Sequence, residues 1–219
     1  MNKNLTEVIF ILDRSGSMAG LEADTIGGFN GMIEKQKKQE GEVLVSTVLF
    51  DNWCEVIHDR VDIRQLKPMT EREYFVRGCT ALLDAVGGAI RHIRNVHKYA
   101  REEDRPQKTI VVITTDGLEN ASHQFGYEEV RRMIAAQEEQ GWEFLFLGAN
   151  MDAAKEAGRF GIRAERAVDY HADGQGTDAV YSAVGEAICC MRADGEAPLS
   201  DKWRRSVDAD YRKRSKKKK

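Results

Sequence analysis

Apolar residues follow two patterns that alternate along most of this chain. Residues 8–12 and 109–114 are almost continuously apolar, which is typical of strands covered on both faces of a sheet. Residues 81–99 and 127–140 instead repeat apolar positions every three or four residues, as a helix with one buried face does. This alternation predicts an α/β domain with a mostly parallel central sheet and helices on both faces.

The same patterns predict a full series of elements and one hairpin. The expected strands lie at residues 8–12, 42–50, 53–61, 109–114, 143–147 and 164–168, and the expected helices at 27–39, 81–99, 127–140, 152–158 and 177–191. Residues 51–52 resemble a tight turn, so the second and third strands should pair as an antiparallel hairpin. In sheets of this kind ligands bind outside the carboxyl ends of the strands. The segments after Leu12, Thr114 and Gly148 are therefore the candidate sites.

Charge is distributed unevenly and divides the 219 residues into two expected regions. Residues 202–219 contain ten Lys and Arg against two Asp, so the other 201 residues carry a net charge of −11 within the total of −3. We expect one compact domain at residues 1–195 and a basic, disordered tail at residues 196–219. The tail either only solubilises the protein or binds a polyanion such as nucleic acid. It could also dock on the acidic body of a neighbouring copy.

Cysteine usage and hydropathy predict a soluble, cytoplasmic chain. Cys54, Cys79, Cys189 and Cys190 show no CxxC or Cys/His metal spacing, so we expect reduced, mostly buried thiols. The apolar run that follows the polar first residues is too short for a signal peptide. No apolar stretch approaches the roughly 20 residues that a membrane helix needs. We expect no membrane contact, and a monomer is the simplest expectation.

A group of oxygen-bearing side chains follows the first predicted strand. Asp13, Ser15 and Ser17 alternate along a tight loop, in which Gly16 lets the backbone turn so that the three side chains converge. Hard cations such as Mg²⁺ prefer oxygen ligands in octahedral geometry and keep several waters. One carboxylate and two neutral hydroxyl groups leave such an ion short of negative charge, which attracts an anionic ligand. Taken alone, the same loop could be the capped start of a helix.

Two further segments place oxygen groups at the same edge of the predicted sheet. Asp116 closely follows the strand at residues 109–114, and Thr80 lies in the loop before the long second helix. Each has a plainer structural interpretation, since Asp116 with Gly117 could be a turn and Thr80 could cap the helix. The three segments together predict a metal site formed by Asp13, Ser15, Ser17, Thr80 and Asp116.

This combination resembles the metal-ion-dependent adhesion site (MIDAS) of the von Willebrand factor type A domains. In that family Asp-x-Ser-x-Ser is followed by a distant Thr and then a distant Asp, often within Thr-Asp-Gly. The match spans about residues 5–192 and includes the local sequences Ile-Leu-Asp-Arg-Ser-Gly-Ser-Met and Gly-Cys-Thr-Ala-Leu-Leu-Asp-Ala. The resemblance implies a Rossmann-like three-layer sandwich, whose mostly parallel sheet has one short antiparallel edge strand. Within the family the chain is similar to small stand-alone bacterial members, some of which accompany stress and tellurium-resistance systems.

The resemblance also implies how the five residues act. Ser15 and Ser17, and sometimes Thr80, would bind Mg²⁺ or Mn²⁺ directly, while Asp13 and Asp116 would often act through water. An Asp or Glu of a partner protein would take the remaining coordination position. The motif does not specify the partner, and oxygen ligands alone do not separate Mg²⁺ from Mn²⁺.

Several other polar residues near these segments have two open interpretations. Glu119, Asn120 and Asp51 are either rim groups of the site or, as we expect, ordinary solvated side chains. Asp84 either orients the loop by hydrogen bonding or lies on the helix surface. The five histidines show no HxxxH or HExxH spacing, and we do not expect them to be catalytic.

The residues favour binding over catalysis. A metal-dependent phosphohydrolase could use Mg²⁺ and two carboxylates to activate water, but the site has no candidate base and, apart from Arg14, no cationic clamp. A phosphate-cradling GxxxxGK[ST] loop is also missing from the sequence. We therefore expect a non-enzymatic, metal-dependent protein-binding module. A phosphohydrolase, or a nucleic-acid-associated scaffold anchored by the basic tail, are the alternatives.

Overall fold

The computed structural model describes residues 1–193 and 199–215, and within them the chain forms six strands and six α-helices. The strands are β1 (Asn2–Asp13), β2 (Glu42–Phe50), β3 (Cys54–Asp62), β4 (Pro106–Thr115), β5 (Trp142–Ala149) and β6 (Ala167–Tyr170). The helices are α1 (Glu22–Gln36), α2 (Leu82–Tyr99), α3 (Tyr127–Glu138), α4 (Ala153–Arg159), α5 (Gly174–Ala193) and α6 (Arg205–Ser215). The predicted domain boundary at residue 195 and the last four residues of the predicted tail lie outside the described residues.

One six-stranded sheet forms the centre of the molecule, in the order β3-β2-β1-β4-β5-β6. Neighbouring strands are parallel except at one edge, where β3 pairs antiparallel with β2. This confirms the predicted fold class, a mostly parallel Rossmann-like sheet with one antiparallel edge strand. The register pairs Leu12 of β1 with Thr114 of β4, so the segments that follow these two strands start side by side.

Two apolar layers cover the sheet, one on each face. Val8, Phe10 and Leu12 of β1 enter the layer formed with α1, α5 and α6, whereas Ile9 and Ile11 enter the layer formed with α2, α3 and α4. Successive side chains of a strand point to opposite faces. A strand covered on both faces is therefore apolar at every position, which explains why this run shows no alternation.

The first helix begins earlier than predicted, at Glu22 rather than at residue 27. Gly27 and Gly28 lie inside α1 and not at its start. A Cβ on Gly28 would lie 2.5 Å from Cδ2 of Tyr181, so glycine at this position lets α1 approach α5 closely. The prediction missed this because close helix packing and a helix boundary both favour glycine.

The prediction of a disordered tail is wrong for residues 201–215, which fold against the domain. Trp203 and Val207 are buried, and the ring of Tyr211 stacks on His171 with centroids 4.5 Å apart. Val207 and Tyr211 lie one turn apart on α6, and Trp203 precedes Val207 by four residues in the short 3-10 turn that leads into this helix. The high count of positive charges in this segment obscured that apolar pattern.

The structure shows how exposed the cysteines are and whether any described helix could cross a membrane. All four cysteines are free thiols, but Cys54, Cys79 and Cys190 are exposed and Cys189 is only partly buried. The expectation of mostly buried thiols is therefore wrong. Within the described part of the chain, every helix is too short or too polar to cross a membrane.

Candidate metal centre

Asp13, the last residue of β1, is fully buried and joins two loops. Its Oδ1 accepts the backbone N–H of Ser15 at 2.7 Å, and its Oδ2 accepts the hydroxyl group of Thr115 at 2.6 Å. The first bond shapes the tight loop after β1, and the second ties that loop to the end of β4. Both oxygens of this carboxylate therefore already have donors within the protein.

Three side chains from these two loops form a chain of oxygen atoms. The hydroxyl oxygens of Ser15 and Ser17 lie 3.1 Å apart, and the Ser17 hydroxyl donates to Oδ1 of Asp116 at 2.5 Å. Neighbouring oxygen ligands of an octahedral Mg²⁺ lie about 3 Å from one another, because each lies about 2.1 Å from the ion. The observed spacings are therefore close to those of adjacent ligands on one such ion.

Thr80 joins this group from a third segment, the loop before α2. A Cβ on Gly117 would lie 2.8 Å from the Thr80 hydroxyl oxygen and 3.4 Å from that of Ser17, so both oxygens border this glycine. A side chain at Gly117 would displace them. The N-cap of α2 is Ala81, which makes no side-chain hydrogen bond. The interpretation of Thr80 as a helix cap is therefore wrong.

Hydrogen bonds from nearby polar side chains fix the loop that carries Thr80. The side-chain oxygen of Asn120 accepts the Thr80 N–H at 2.9 Å, and the Asn120 N–H donates to the Thr80 carbonyl at 3.0 Å. Glu119 accepts a backbone N–H in the first turn of α2 at 2.7 Å. Asp84 accepts the N–H groups of residues 123–125. The expectation that Glu119 and Asn120 are merely solvated is therefore wrong, and Asp84 holds the loop between β4 and α3 by hydrogen bonding.

Arg14 and Asp51 form a buried ion pair beside these oxygens. The Nε of Arg14 donates to Asp51 at 2.9 Å and its Nη1 lies 2.8 Å from Glu55, while Arg77 donates to Asp51 at 2.7 Å. Burial raises the pKa of Asp51, but its bonds to Arg77 and Arg14 outweigh burial and hold the pKa below its usual range. Asp51 is thus a buried structural group, and Arg14 is committed to it.

Burial makes the two carboxylates of this site costly to ionise. It raises the pKa of Asp13 from 3.8 to about 6, with the charge of Asp116 adding to the effect and hydrogen bonds from Thr115 and Ser15 opposing it. Burial likewise raises the pKa of Asp116. A bound cation would favour the charged form of both groups.

The chemistry of the donor set fits a hard divalent cation. Within the described residues, no group of three or more His, Cys, Asp or Glu side chains could hold a metal. The candidate ligands are therefore two carboxylates and three hydroxyl groups. An all-oxygen set of this kind suits Mg²⁺ or Mn²⁺, whereas softer ions prefer thiolate or imidazole ligands.

Solved structures of several proteins share this architecture. The vWF domain of the type V pili tip protein Mfa5 from Porphyromonas gingivalis is 12% identical, with a TM-score of 0.66 over 88% of this chain and 98% of that one. Manganese-loaded TRAP protein from Plasmodium vivax is 16% identical, with a TM-score of 0.58 over 82% of this chain and 73% of that one. Proximal thread matrix protein 1 from the mussel byssus, with a zinc-occupied MIDAS motif, is 14% identical, with a TM-score of 0.58 over 86% of this chain. This chain spans only about half of the mussel protein, 47% of its length.

Similarity at the level of sequence is much weaker than similarity of structure. No protein-family model matches the chain, and no curated protein matches it either. At identities of 12% to 16% the likeness concerns the fold. Together with the strand order and the antiparallel edge strand, it shows that this chain has the fold of the von Willebrand factor type A domains.

Proposed function

We propose that this chain is a non-enzymatic binding module that holds one divalent cation, Mg²⁺ or Mn²⁺, and uses it to bind an Asp or Glu side chain of a partner protein. The observation that carries the proposal is the oxygen chain of Ser15, Ser17 and Asp116, with spacings of 3.1 and 2.5 Å. Asp13 and Thr80 complete the proposed set. When bound, the cation supplies a positive centre with a coordination position open to a carboxylate.

The surroundings of each residue suggest a division of roles. Ser17 is exposed and Asp116 is partly buried, so these two face a partner, whereas Asp13 is enclosed. Both oxygens of Asp13 are already hydrogen-bonded, which favours contact with the ion through a water molecule. With Asp13 acting through water, the groups in direct contact with the ion are largely neutral hydroxyls, which leave it short of negative charge. An ion held largely by neutral hydroxyl groups therefore attracts an additional anionic ligand.

The position of Arg14 counts against a phosphohydrolase. Its guanidinium is fully buried and contacts Asp51 and Glu55, so it does not reach out to clamp a phosphoryl group. Glu119 accepts backbone N–H groups with both of its oxygens. With Asp13 and Asp116 assigned to the metal, Glu119 is therefore not free to act as the general base that a phosphohydrolase needs.

Ion pairs of α6 count against a nucleic-acid scaffold. Arg204 contacts Asp208 at 3.0 Å, and Arg214 contacts Asp173 at 2.7 Å. These two guanidinium groups are therefore neutralised within the folded chain. Fewer free cations among residues 204–214 mean fewer phosphate contacts and a weaker polyanion site.

Metal titration followed by ligand binding tests the proposal. Calorimetric titration with MnCl₂ should show one site in the wild-type chain, a site about tenfold weaker in Ser17→Ala, and none in Asp116→Ala. Asp178→Ala removes an exposed carboxylate of α5 and is the matched control, which should bind metal normally. Peptides that contain Glu should bind with Mn²⁺ and dissociate with EDTA. Metal binding that survives Asp116→Ala would contradict the proposal.

A further inference from the structure

Large apolar side chains are exposed on the loops that surround the proposed metal centre. The exposed large hydrophobic residues within the described part of the chain are Met1, Trp53, Val56, Phe75, Tyr99 and Leu118. Three of these, Trp53, Phe75 and Leu118, lie on loops at the end of the sheet where β1, β2 and β4 finish. We name these three residues the apolar rim.

Hydrogen bonds attach Phe75 to the loop that follows β1. The hydroxyl of Tyr74 donates to the carbonyl oxygen of Asp13 at 2.6 Å. The N–H of Arg77 donates to the carbonyl oxygen of Arg14 at 2.8 Å. Phe75 lies between these two attachment points and is therefore held beside the metal loop.

Trp53 and Leu118 are attached to the same group of loops from other sides. Trp53 ends the turn after β2, and the carbonyl of Asp51 in that turn accepts the N–H of Ala81, the residue after the proposed ligand Thr80, at 2.9 Å. Leu118 follows Asp116 by two positions in the loop after β4. The apolar rim thus draws one member from each of three loops that meet at the metal centre.

The ring of Phe75 and the backbone of Trp53 are held in place although both residues are exposed. The guanidinium carbons of Arg14 and Arg77 lie 5.3 and 5.0 Å from the centroid of the Phe75 ring. The backbone N–H of Trp53 donates to the Asp51 side chain at 2.9 Å, and the backbone carbonyl of Trp53 accepts the Asp51 N–H at 3.0 Å. Fixed aromatic groups lose little conformational entropy when a partner covers them, and such residues commonly dominate binding energy.

Charge around the apolar rim restricts the chemistry of the partner. Arg14 and Arg77 are balanced by Asp51 and Glu55, so this cluster carries no net charge. The first turn of α1, shortly after Ser17, adds acidic side chains. A strongly acidic segment would be repelled there. In a segment with a single carboxylate among apolar residues, the carboxylate would bind the cation and the apolar residues would contact the apolar rim.

We propose that the metal centre and the apolar rim form one docking surface. Its occupant is a polypeptide segment with a single Asp or Glu flanked by aromatic or aliphatic side chains. This inference rests on the proposed function, since the cation places the carboxylate. The cation accepts any carboxylate, and the apolar rim selects among the segments that carry one.

Selection from a phage-displayed library of short random peptides with one fixed Glu tests the docking surface. Selection on the full chain with Mn²⁺ should enrich Phe, Trp, Leu or Ile beside the Glu, and EDTA should release the selected peptides. The synthesised consensus peptide should bind Trp53→Ala and Leu118→Ala about tenfold more weakly than wild type. Tyr99→Ala is the matched control, because Tyr99 is 79% exposed against 76% for Trp53 and lies at the far end of α2.

The possible results separate the docking surface from the proposed function. Enrichment of peptides whose Glu has no apolar neighbours, or has further acidic neighbours, would contradict the proposed docking surface. It would leave the proposal of metal-dependent binding intact. Equal binding of the consensus peptide to wild type and Trp53→Ala would do the same. Absence of any EDTA-sensitive enrichment would overturn both proposals. Unchanged Mn²⁺ affinity in Trp53→Ala would show that the variant is folded and that its loss of peptide binding comes from the apolar rim.

Discussion

Strand β1 contains two buried carboxylates, Glu7 in its first half and Asp13 at its end. The two differ in the charge of the groups that contact them. Both residues are fully buried. Glu7 accepts a hydrogen bond from Nε of Arg60 at 2.8 Å and lies 2.6 Å from Nε2 of His97. Asp13 has only neutral hydrogen-bond donors, and the charge of Asp116 makes its ionisation harder.

This difference teaches that burial alone does not mark a binding site. Cationic or protonatable groups of β3 and α2 contact Glu7, so this carboxylate joins three elements of the fold. Nothing comparable contacts Asp13 among the described residues, and its pKa rises to about 6 because of its burial. A charge that the chain leaves unbalanced is the one that favours a cation from solution.

Removal of Glu7 should produce the largest effect on stability. Glu7→Ala would leave Arg60 and His97 without their acceptor, and the free energy of unfolding should fall by about 3 kcal/mol. Urea denaturation in EDTA measures this loss, with the exposed Glu128→Ala as control. A loss as small as that of the control would show that Glu7 does not hold these elements together.

Metal should stabilise the folded chain by a similar amount. Mn²⁺ at about 100 times its dissociation constant should add about 2.7 kcal/mol, which raises the melting temperature by roughly 5–10 °C for a chain of this size. Calorimetric melting curves should show this shift in wild type and Glu7→Gln, and not in Asp116→Ala. An equal shift in Asp116→Ala would mean that the metal binds elsewhere.

The two isosteric variants Asp13→Asn and Glu7→Gln should differ in their affinity for Mn²⁺. Asp13→Asn should weaken Mn²⁺ binding about 10- to 100-fold, as expected for a group that acts on the ion through water. Glu7→Gln lies far along β1 from the site and should leave the affinity unchanged. Electron paramagnetic resonance of free Mn²⁺ measures both constants. Equal affinities would remove the distinction between the two carboxylates.

Most of the fold was predictable because its patterns arise from the core itself. The run at residues 8–12 is apolar throughout because β1 is covered on both faces. The juxtaposition of Asp13, Ser15, Ser17 and Asp116 was predictable because these residues lie at or just after the ends of two neighbouring parallel strands, β1 and β4. The start of α1 was not, since the glycines of this helix serve close packing against Tyr181.

Features that depend on contacts between distant segments could not be predicted from local pattern. Trp203 and Val207 are buried although they lie in a segment rich in Lys and Arg, because both pack into the apolar layer formed with α1 and α5. Glu119 resembled a solvated loop residue, yet it accepts an N–H group of α2. The apolar rim likewise exists only because three separate loops meet.

The smallest expected effect is that of Asp13→Asn on stability without metal. The substitution removes a buried charge that no cation of the chain balances, so in EDTA the free energy of unfolding should change by less than about 1 kcal/mol. Urea denaturation of Asp13→Asn beside Glu7→Gln measures the contrast. A large loss in Asp13→Asn would show that its charge is as well balanced as that of Glu7.

Crystals of the full chain grown with Mn²⁺ and measured at the manganese absorption edge test the central claim most directly. We predict one anomalous peak within about 2.5 Å of the hydroxyl oxygens of Ser15 and Ser17, with Asp116 beside it. Absence of a peak between these side chains, or a peak elsewhere while they remain hydrogen-bonded to each other, would contradict the account.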